Sequence, residues 1–335
     1  MAASSSTVVP SVSTPRPRNA CSLCIPPRNP PLPSERKSSM TRLFKRLRPL
    51  LAVLFLPVAL AAHADDSAMP KKLTVGLLPG ESAPTVMRLN EPLRAHLEKT
   101  LGIPVELTVG ANYAATSEAL RFGRIDIAYL GPITYILQSR KVQLEPFARP
   151  THAQVGPTFQ AVLIVPADSP ARSLEDLRGK EVAFGDPAST SGTWVPRYML
   201  AEAGLVSGRD YTLRVLGAHD AVALAVASKK VAAGGLSKPI YERLLKEGKI
   251  KAESVRILED SPAIPEYMWT FRSGLAPEVK EKIRRAFIST SDPAALGVFR
   301  AEAFIPCVDS DVDRVRNWIS VIEKDHPEDA VVNAK

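Results

Sequence analysis

Cysteine is scarce: Cys21, Cys24 and Cys307 are the only three in 335 residues. The first two sit in a stretch rich in Ser, Pro and Arg. The rest of the chain therefore holds one thiol and no partner for an intramolecular disulfide. The Cys21-x-x-Cys24 spacing lacks the second ligand pair of a zinc site and the βαβ setting of a redox site, and reads as chance. Histidine is nearly as rare. The five are His63, His96, His152, His219 and His326, scattered, with no carboxylate placed to orient one as a general base. G-x-S-x-G, H-E-x-x-H, G-x-G-x-x-G and the Walker phosphate loop are all missing, which removes the common hydrolase, zinc-protease, dinucleotide and nucleotide-phosphate signatures. No metal and no cofactor are expected. A positive surface is missing too. The formal charge of +8 traces to nine basic residues before Asp65, opposed there only by Glu35; beyond them 34 basic residues face 34 acidic ones. The basicity argues nothing about nucleic acid, and none is expected as a partner.

What is present first is a leader. Residues 1–39, with Pro15-Arg16-Pro17-Arg18 and Pro26-Pro27-Arg28, offer little apolar surface to bury and are expected to be disordered. Met40 then opens a positive segment (Arg42, Lys45, Arg46, Arg48), an uncharged apolar run over 49–61 and a small-x-small site at Ala62-His63-Ala64. These are the parts of a secretory signal peptide over 40–64. The run is short of the about 20 residues of a spanning helix. Met40 is expected to be the true start, with 1–39 from an over-extended reading frame; the alternative is an organelle transit peptide. The exported chain would begin at Asp65.

Hydrophobic residues at 45% and charged residues at 23% are ordinary globular values. Short apolar strands are expected at 73–78, 105–109 and 125–130, separated by helices over 84–100 and 113–122, with another helix from Pro132. A long apolar strand over 159–165 reads as a crossover into a second lobe. There the rhythm restarts: a capped helix at 173–180, strands at 181–184, 213–216 and 231–236, helices at 191–203, 219–228 and 239–247. Strands at 255–258 and 268–271 return the chain, and 277–290 is expected as the last long helix. Alternating α and β implies α/β lobes, each a mostly parallel sheet flanked by helices.

The sharpest site candidate is Asp186-Pro187-Ala188-Ser189-Thr190-Ser191-Gly192, between a strand and a helix. Three hydroxyls, the free N–H groups of a first turn and the positive end of a helix dipole converge there, and Gly192 leaves room for an oxyanion. The plainer alternative is an N-cap. His219, in Gly217-Ala218-His219-Asp220, is at a second strand-to-helix junction and opens on the same sheet edge. Its imidazole can donate to an anion and can become cationic. Tyr113 and Tyr129 hold the equivalent positions in the first lobe, where core packing is their alternative. Trp194, Trp269 and Trp318 are expected in the core.

These residues resemble the periplasmic substrate-binding components of phosphate, phosphite and phosphonate importers. The resemblance covers 73 to about 325. It rests on Gly123-Arg124-Ile125-Asp126-Ile127-Ala128, on residues 173–180, on the 185–192 loop, on Gly217-Ala218-His219 and on Ser261-Pro262-Ala263-Ile264-Pro265. It implies the two-lobe periplasmic-binding-protein fold (type II) with hinge crossovers, lobe 1 over 70–158 plus 262–335 and lobe 2 over 159–261. It implies a monomer that captures a small oxyanion for an inner-membrane ABC permease and its ATPase. Ser189, Thr190 and Ser191 would hold the phosphonyl oxygens, with Tyr113 and His219 completing the cradle; Tyr129, Phe159 and Tyr267 would line the site. Three positions depart from the family: Ala232 and Tyr267 stand where some members carry carboxylates, and Phe159 where a Tyr is common. The first two predict a ligand with no essential ammonium group. Two other readings stay open, an enzyme on the same fold and a sensing module for a membrane kinase.

Overall fold

The computed structural model describes residues 69–325. The expected leader with Cys21 and Cys24, the signal peptide at 40–64 and residues 326–335 of lobe 1 lie outside them.

β1 (Leu73–Leu77), α1 (Ala83–Leu101), β2 (Val105–Val109), α2 (Tyr113–Arg121), β3 (Ile127–Leu130), α3 (Pro132–Ser139) and β4 (Glu145–Thr151) form the first run. β5 (Thr158–Phe159) leads into β6 (Ala161–Pro166), β7 (Glu181–Gly185), α4 (Val195–Glu202), β8 (Thr212–Gly217), α5 (His219–Ala227), β9 (Ala233–Ser237), α6 (Lys238–Lys246) and β10 (Val255–Asp260). β11 (Ile264–Pro265), β12 (Met268–Phe271), α7 (Pro277–Ile288), α8 (Pro293–Gly297), β13 (Ala303–Ile305) and α9 (Asp313–Asp325) complete the chain.

Two sheets result, ordered β13-β4-β12-β3-β1-β2 and β10-β6-β9-β7-β8. Both are mixed, with most strands of each running one way: β1 to β4 in the first, and all but β6 in the second. β1 runs parallel to β2 and β3, and β7 parallel to β8 and β9. The strands that enter each sheet after a crossover run the other way: β12 is antiparallel to β3 and β4, and β6 to β9 and β10. Apolar runs such as 161–165 carry no sign of that direction. The predicted strand from Phe159 to Val165 is broken. Phe159 pairs with Ile264 in a separate two-stranded ribbon, and β6 begins only at Ala161. Ser261 fixes this junction, accepting the Ala161 N–H at 2.9 Å.

Local chemistry explains the helix ends. Asn112 caps α2, accepting Ala115 N–H at 2.7 Å, and so places Tyr113 as its first residue. α1 buries Val86, Leu93 and Leu97, while Met87 of the predicted stripe faces out. The helix expected over 173–180 is a single 3-10 turn, Leu174–Leu177, with Asp176 reaching back to the Ser173 N–H. α7 is not the last long helix. α9 follows, burying Val315, Ile319 and Ile322. Its Trp318 stacks on Tyr198 of α4 with ring centroids 5.5 Å apart. One apolar cluster runs through Leu78 and Ile133, Trp194 and Leu200, and Ile319, so both sheets rest on a shared core. Trp194, Trp269 and Trp318 are all buried. Among the described residues no helix is long and apolar enough to cross a membrane.

Candidate oxyanion site between the two sheets

The second sheet supplies the hydroxyls. After β7 the chain passes Asp186 and enters a widened π turn, Thr190–Trp194, before α4. Its signature is the Trp194 N–H, which reaches Ser189 O five residues back at 3.1 Å. The loop ties itself down. Thr193 Oγ1 donates to Asp186 O at 2.7 Å, and Trp194 Nε1 to Pro187 O at 2.7 Å. Ser189 Oγ caps the turn, accepting Gly192 N–H at 3.1 Å. Ser189, Thr190 and Ser191 are all fully buried. Ser191 Oγ is buried with no hydrogen-bond partner.

His219 arrives from the neighbouring unit. Gly217 adopts a positive φ of 84°, a conformation that disfavours side chains, and turns the chain so that His219 becomes the first residue of α5. The ring is 2% exposed. Ser237 N–H donates to its Nδ1 at 3.2 Å, which leaves the proton on Nε2. Burial pulls its pKa down from 6.5 to about 4. The imidazole is a neutral donor, not the cation that the sequence left open. The unfolded chain takes up this proton below about 6.5, and the folded chain only near 4. The stability contributed by the neutral ring is whole above pH 6.5 and is lost as pH falls through that window. Melting temperatures between pH 7 and 4 should therefore fall less steeply for His219→Gln than for the wild type. Equal slopes would remove His219 as the cause.

The first sheet brings phenols and bare backbone. Tyr113 is 2% exposed, and a Cβ on Gly80 would sit 3.1 Å from its hydroxyl and 3.5 Å from His219 Cδ2. A Cβ on Gly131 would meet Tyr267 Cζ at 2.8 Å and Thr190 Oγ1 at 3.1 Å. Burial, and then the Tyr267 phenol, raises the Tyr113 pKa well above its usual value. Burial raises that of Tyr267 as well, with the Glu266 carboxylate adding to it. Both phenols remain protonated donors at neutral pH. The Ser189 hydroxyl lies beside Tyr113, and that of Ser191 beside Tyr267. Tyr129 stacks on Trp269 with centroids 4.8 Å apart, and Phe159 meets Tyr267 edge-on at 5.7 Å. Both line the cleft one step out from the hydroxyls.

Several bonds hold the two sides together. Asp186 Oδ2 accepts Tyr113 N–H at 3.0 Å, and Thr190 Oγ1 accepts Ile133 N–H at 3.0 Å. Thr134 Oγ1 donates to Ala188 O at 3.0 Å, and His219 N–H to Gly80 O at 2.9 Å. Glu81 pairs with Arg243. These contacts bridge the cleft.

The geometry thus joins Ser189, Thr190, Ser191, Gly192, His219, Tyr113 and Tyr267, with Tyr129 and Phe159 at the rim. Sequence reasoning missed Gly80 and Gly131, whose only signal is their place after a strand. It also missed two carboxylates in the cleft wall. Glu266 accepts from His152 Nε2 at 3.0 Å and from the Tyr267 N–H at 2.9 Å. The Glu266 carboxylate raises the His152 pKa. Glu81 is held by Arg243 through one oxygen, and its other has no partner. Ala232 is not in the cleft. It precedes β9, whereas the site is at the strand's far end, by Ser237, so its departure from the family says nothing about the ligand.

The model of the family described as ABC transporter, phosphonate, periplasmic substrate-binding protein matches residues 75–312. The phosphonates-binding periplasmic protein of Escherichia coli is 31% identical over 232 residues, 68% of each chain. The phosphate-import protein PhnD of Mycolicibacterium smegmatis is 27% identical over 276 residues, 75% of this chain and 86% of that one. Among solved structures, a binding protein component of an ABC phosphonate transporter from Pseudomonas aeruginosa superposes with a TM-score of 0.71. It is 25% identical, over 78% of this chain and 89% of that one. PhnD1 from Prochlorococcus marinus, solved with methylphosphonate, shares the fold at a TM-score of 0.70 and 22% identity, over 76% of this chain and 99% of that one. With a type II binding-protein fold of two sheet bodies around a hydroxyl-lined cleft, the chain belongs to the periplasmic substrate-binding proteins of phosphonate ABC transporters.

Proposed function

We propose that the protein captures a phosphonate, or a closely similar tetrahedral oxyanion such as phosphite, in the periplasm and delivers it to an ABC permease and its ATPase. The observation that carries this reading is Ser191 Oγ, buried without a partner among the hydroxyls of Ser189, Tyr113 and Tyr267 and the Nε2–H of His219. A buried hydroxyl left unbonded costs about 1–3 kcal/mol, and an anion in its midst would remove that cost. Four or five donors at about 1.5–3 kcal/mol each are ample for micromolar affinity, which needs about 8 kcal/mol.

The two lobes, 70–158 plus 262–335 and 159–261, would close about the crossovers at Phe159 and Ile264. Donors from both sides favour the closed state, and closure presents the transporter with a liganded shape. Capture rather than catalysis is supported by His219 itself, since a ring protonated on Nε2 and bonded at Nδ1 has no lone pair free to act as a base. Residues 40–64 would direct export, and the protein would act as a monomer.

A thermal-shift screen followed by calorimetry tests the reading. The ligands are methylphosphonate, aminoethylphosphonate, phosphite, phosphate, sulfate and taurine. A phosphorus oxyanion should stabilise the fold by about 2.7 kcal/mol at a hundred times its Kd. Arg243 on Glu81 and His152 on Glu266 predict no large preference for the amino ligand, and the unbonded oxygen of Glu81 is where such a preference would arise. Failure of every phosphorus oxyanion to bind would end the proposal.

A further inference from the structure

The cleft is larger than the anion it would hold. A cavity of about 650 Å³ is lined by Gly80, Tyr113, His219 and Tyr267, and the phenols of Tyr113 and Tyr267 also lie beside the buried hydroxyls of Ser189 and Ser191. Methylphosphonate occupies the space of about three waters, ~100 Å³ at ~30 Å³ each. Most of the chamber would stay empty around such a ligand.

The walls say what the remainder suits. Leu77 of β1 with Val86 and Leu89 of α1 form one side, and Ile240 of α6 the other. Val298 and Phe299, just past α8, close the outer end. Charge in the wall balances: Glu81, Glu242 and Glu266 against Arg243, Lys246 and Arg300. Two of these pairs join the two sides directly, Glu81 with Arg243 and Glu242 with Arg300, and Glu266 is taken by His152. The six wall charges sum to zero, and what the pairs leave over is the Lys246 ammonium and one unbonded oxygen of Glu81, set in a wall that is otherwise mainly apolar.

Resting on the oxyanion reading above, we infer that this chamber is a subsite for the ligand's organic substituent, and that the protein prefers phosphonates carrying an uncharged, mainly apolar group of about four or more carbons, in line with pockets of this size and lining. The head group would lie among Ser189, Ser191, Tyr113 and His219, and the substituent would pass Tyr267 toward Leu89 and Phe299.

Calorimetry on the full exported chain with methyl-, ethyl-, propyl-, butyl- and phenylphosphonate tests this. Each buried methylene should tighten binding by about two- to fourfold. Butyl- and phenylphosphonate should bind at least about tenfold more tightly than methylphosphonate. Filling the chamber with Leu89→Trp should bring the butyl-to-methyl ratio down to about one, with the fold checked by circular dichroism. If methylphosphonate binds and lengthening the substituent weakens binding, the subsite is refuted and the oxyanion reading stands. If no member of the series binds while phosphite or phosphate does, the subsite is refuted and the oxyanion reading stands; if those fail too, the oxyanion reading itself fails. A Leu89→Trp ratio equal to that of the folded wild type would also overturn the subsite.

Discussion

Replacing Ser191 by alanine is expected to weaken phosphonate binding about tenfold to a hundredfold, the cost of one charge-assisted hydrogen bond of about 1.5–3 kcal/mol. The unliganded protein should melt no lower than the wild type. These two results follow from one fact: Ser191 Oγ is fully buried and meets no partner in good hydrogen-bond geometry, with only the Tyr267 phenol beside it. An unsatisfied buried hydroxyl contributes nothing to the fold that alanine would forfeit, and its removal ends a desolvation penalty. Ser189→Ala provides the contrast. That hydroxyl accepts Gly192 N–H, so its loss should cost the fold about 1 kcal/mol as well as weakening binding. Calorimetry and thermal melts on both variants decide. A Ser191→Ala protein that binds like the wild type would show that the hydroxyl does not face the ligand.

The second large effect is expected one residue on, by addition of a single methyl group. In Gly192→Ala the new Cβ would lie 2.8 Å from His219 Cε1, 2.9 Å from Ser189 Oγ and 3.2 Å from His219 Nδ1. The imidazole cannot step aside, because it is buried and its Nδ1 is held by Ser237. Overpacking of this kind costs about 1–3 kcal/mol of stability. Two donors would be displaced together, so affinity should fall by about a hundredfold or more. Melting and ligand titration of this variant read both consequences. A variant that melts and binds as the wild type would mean that Ser189 and His219 are not locked around Gly192.

Much of the site was legible because it is local. A strand, a loop of hydroxyls with glycine and a helix start form one contiguous signal at 185–192, and His219 follows the same pattern one unit later. The first-sheet partners were legible as types, since Tyr113 and Tyr129 stand at a helix start and a strand end. Gly80 and Gly131 were not, because their importance is a distance across the fold to Tyr113 and Tyr267. The pairing of Glu81 with Arg243 spans the cleft and leaves no mark in sequence. In the fold, β4 was hidden by Pro146 and Pro150, residues that usually argue against an interior strand, although β4 is between β12 and β13. The stripe Val315, Trp318, Ile319 and Ile322 of α9 is regular, so that helix was within reach of periodicity alone. Strand direction was not, because the same apolar run serves a parallel or an antiparallel neighbour.

None of the cradle's donors carries a full charge. Serine hydroxyls, protonated phenols and a neutral imidazole would hold the anion, and the arginines of the cleft wall are bound to carboxylates. Mobile ions screen interactions between full charges over about 10 Å at 0.1 M salt, whereas short hydrogen bonds inside a closed, buried cleft lie below that scale. Encounter would be unsteered, and affinity would change little between dilute and saline surroundings. The protein would read the shape and proton pattern of its ligand rather than its charge, and would keep doing so as the ionic strength outside the cell rises and falls.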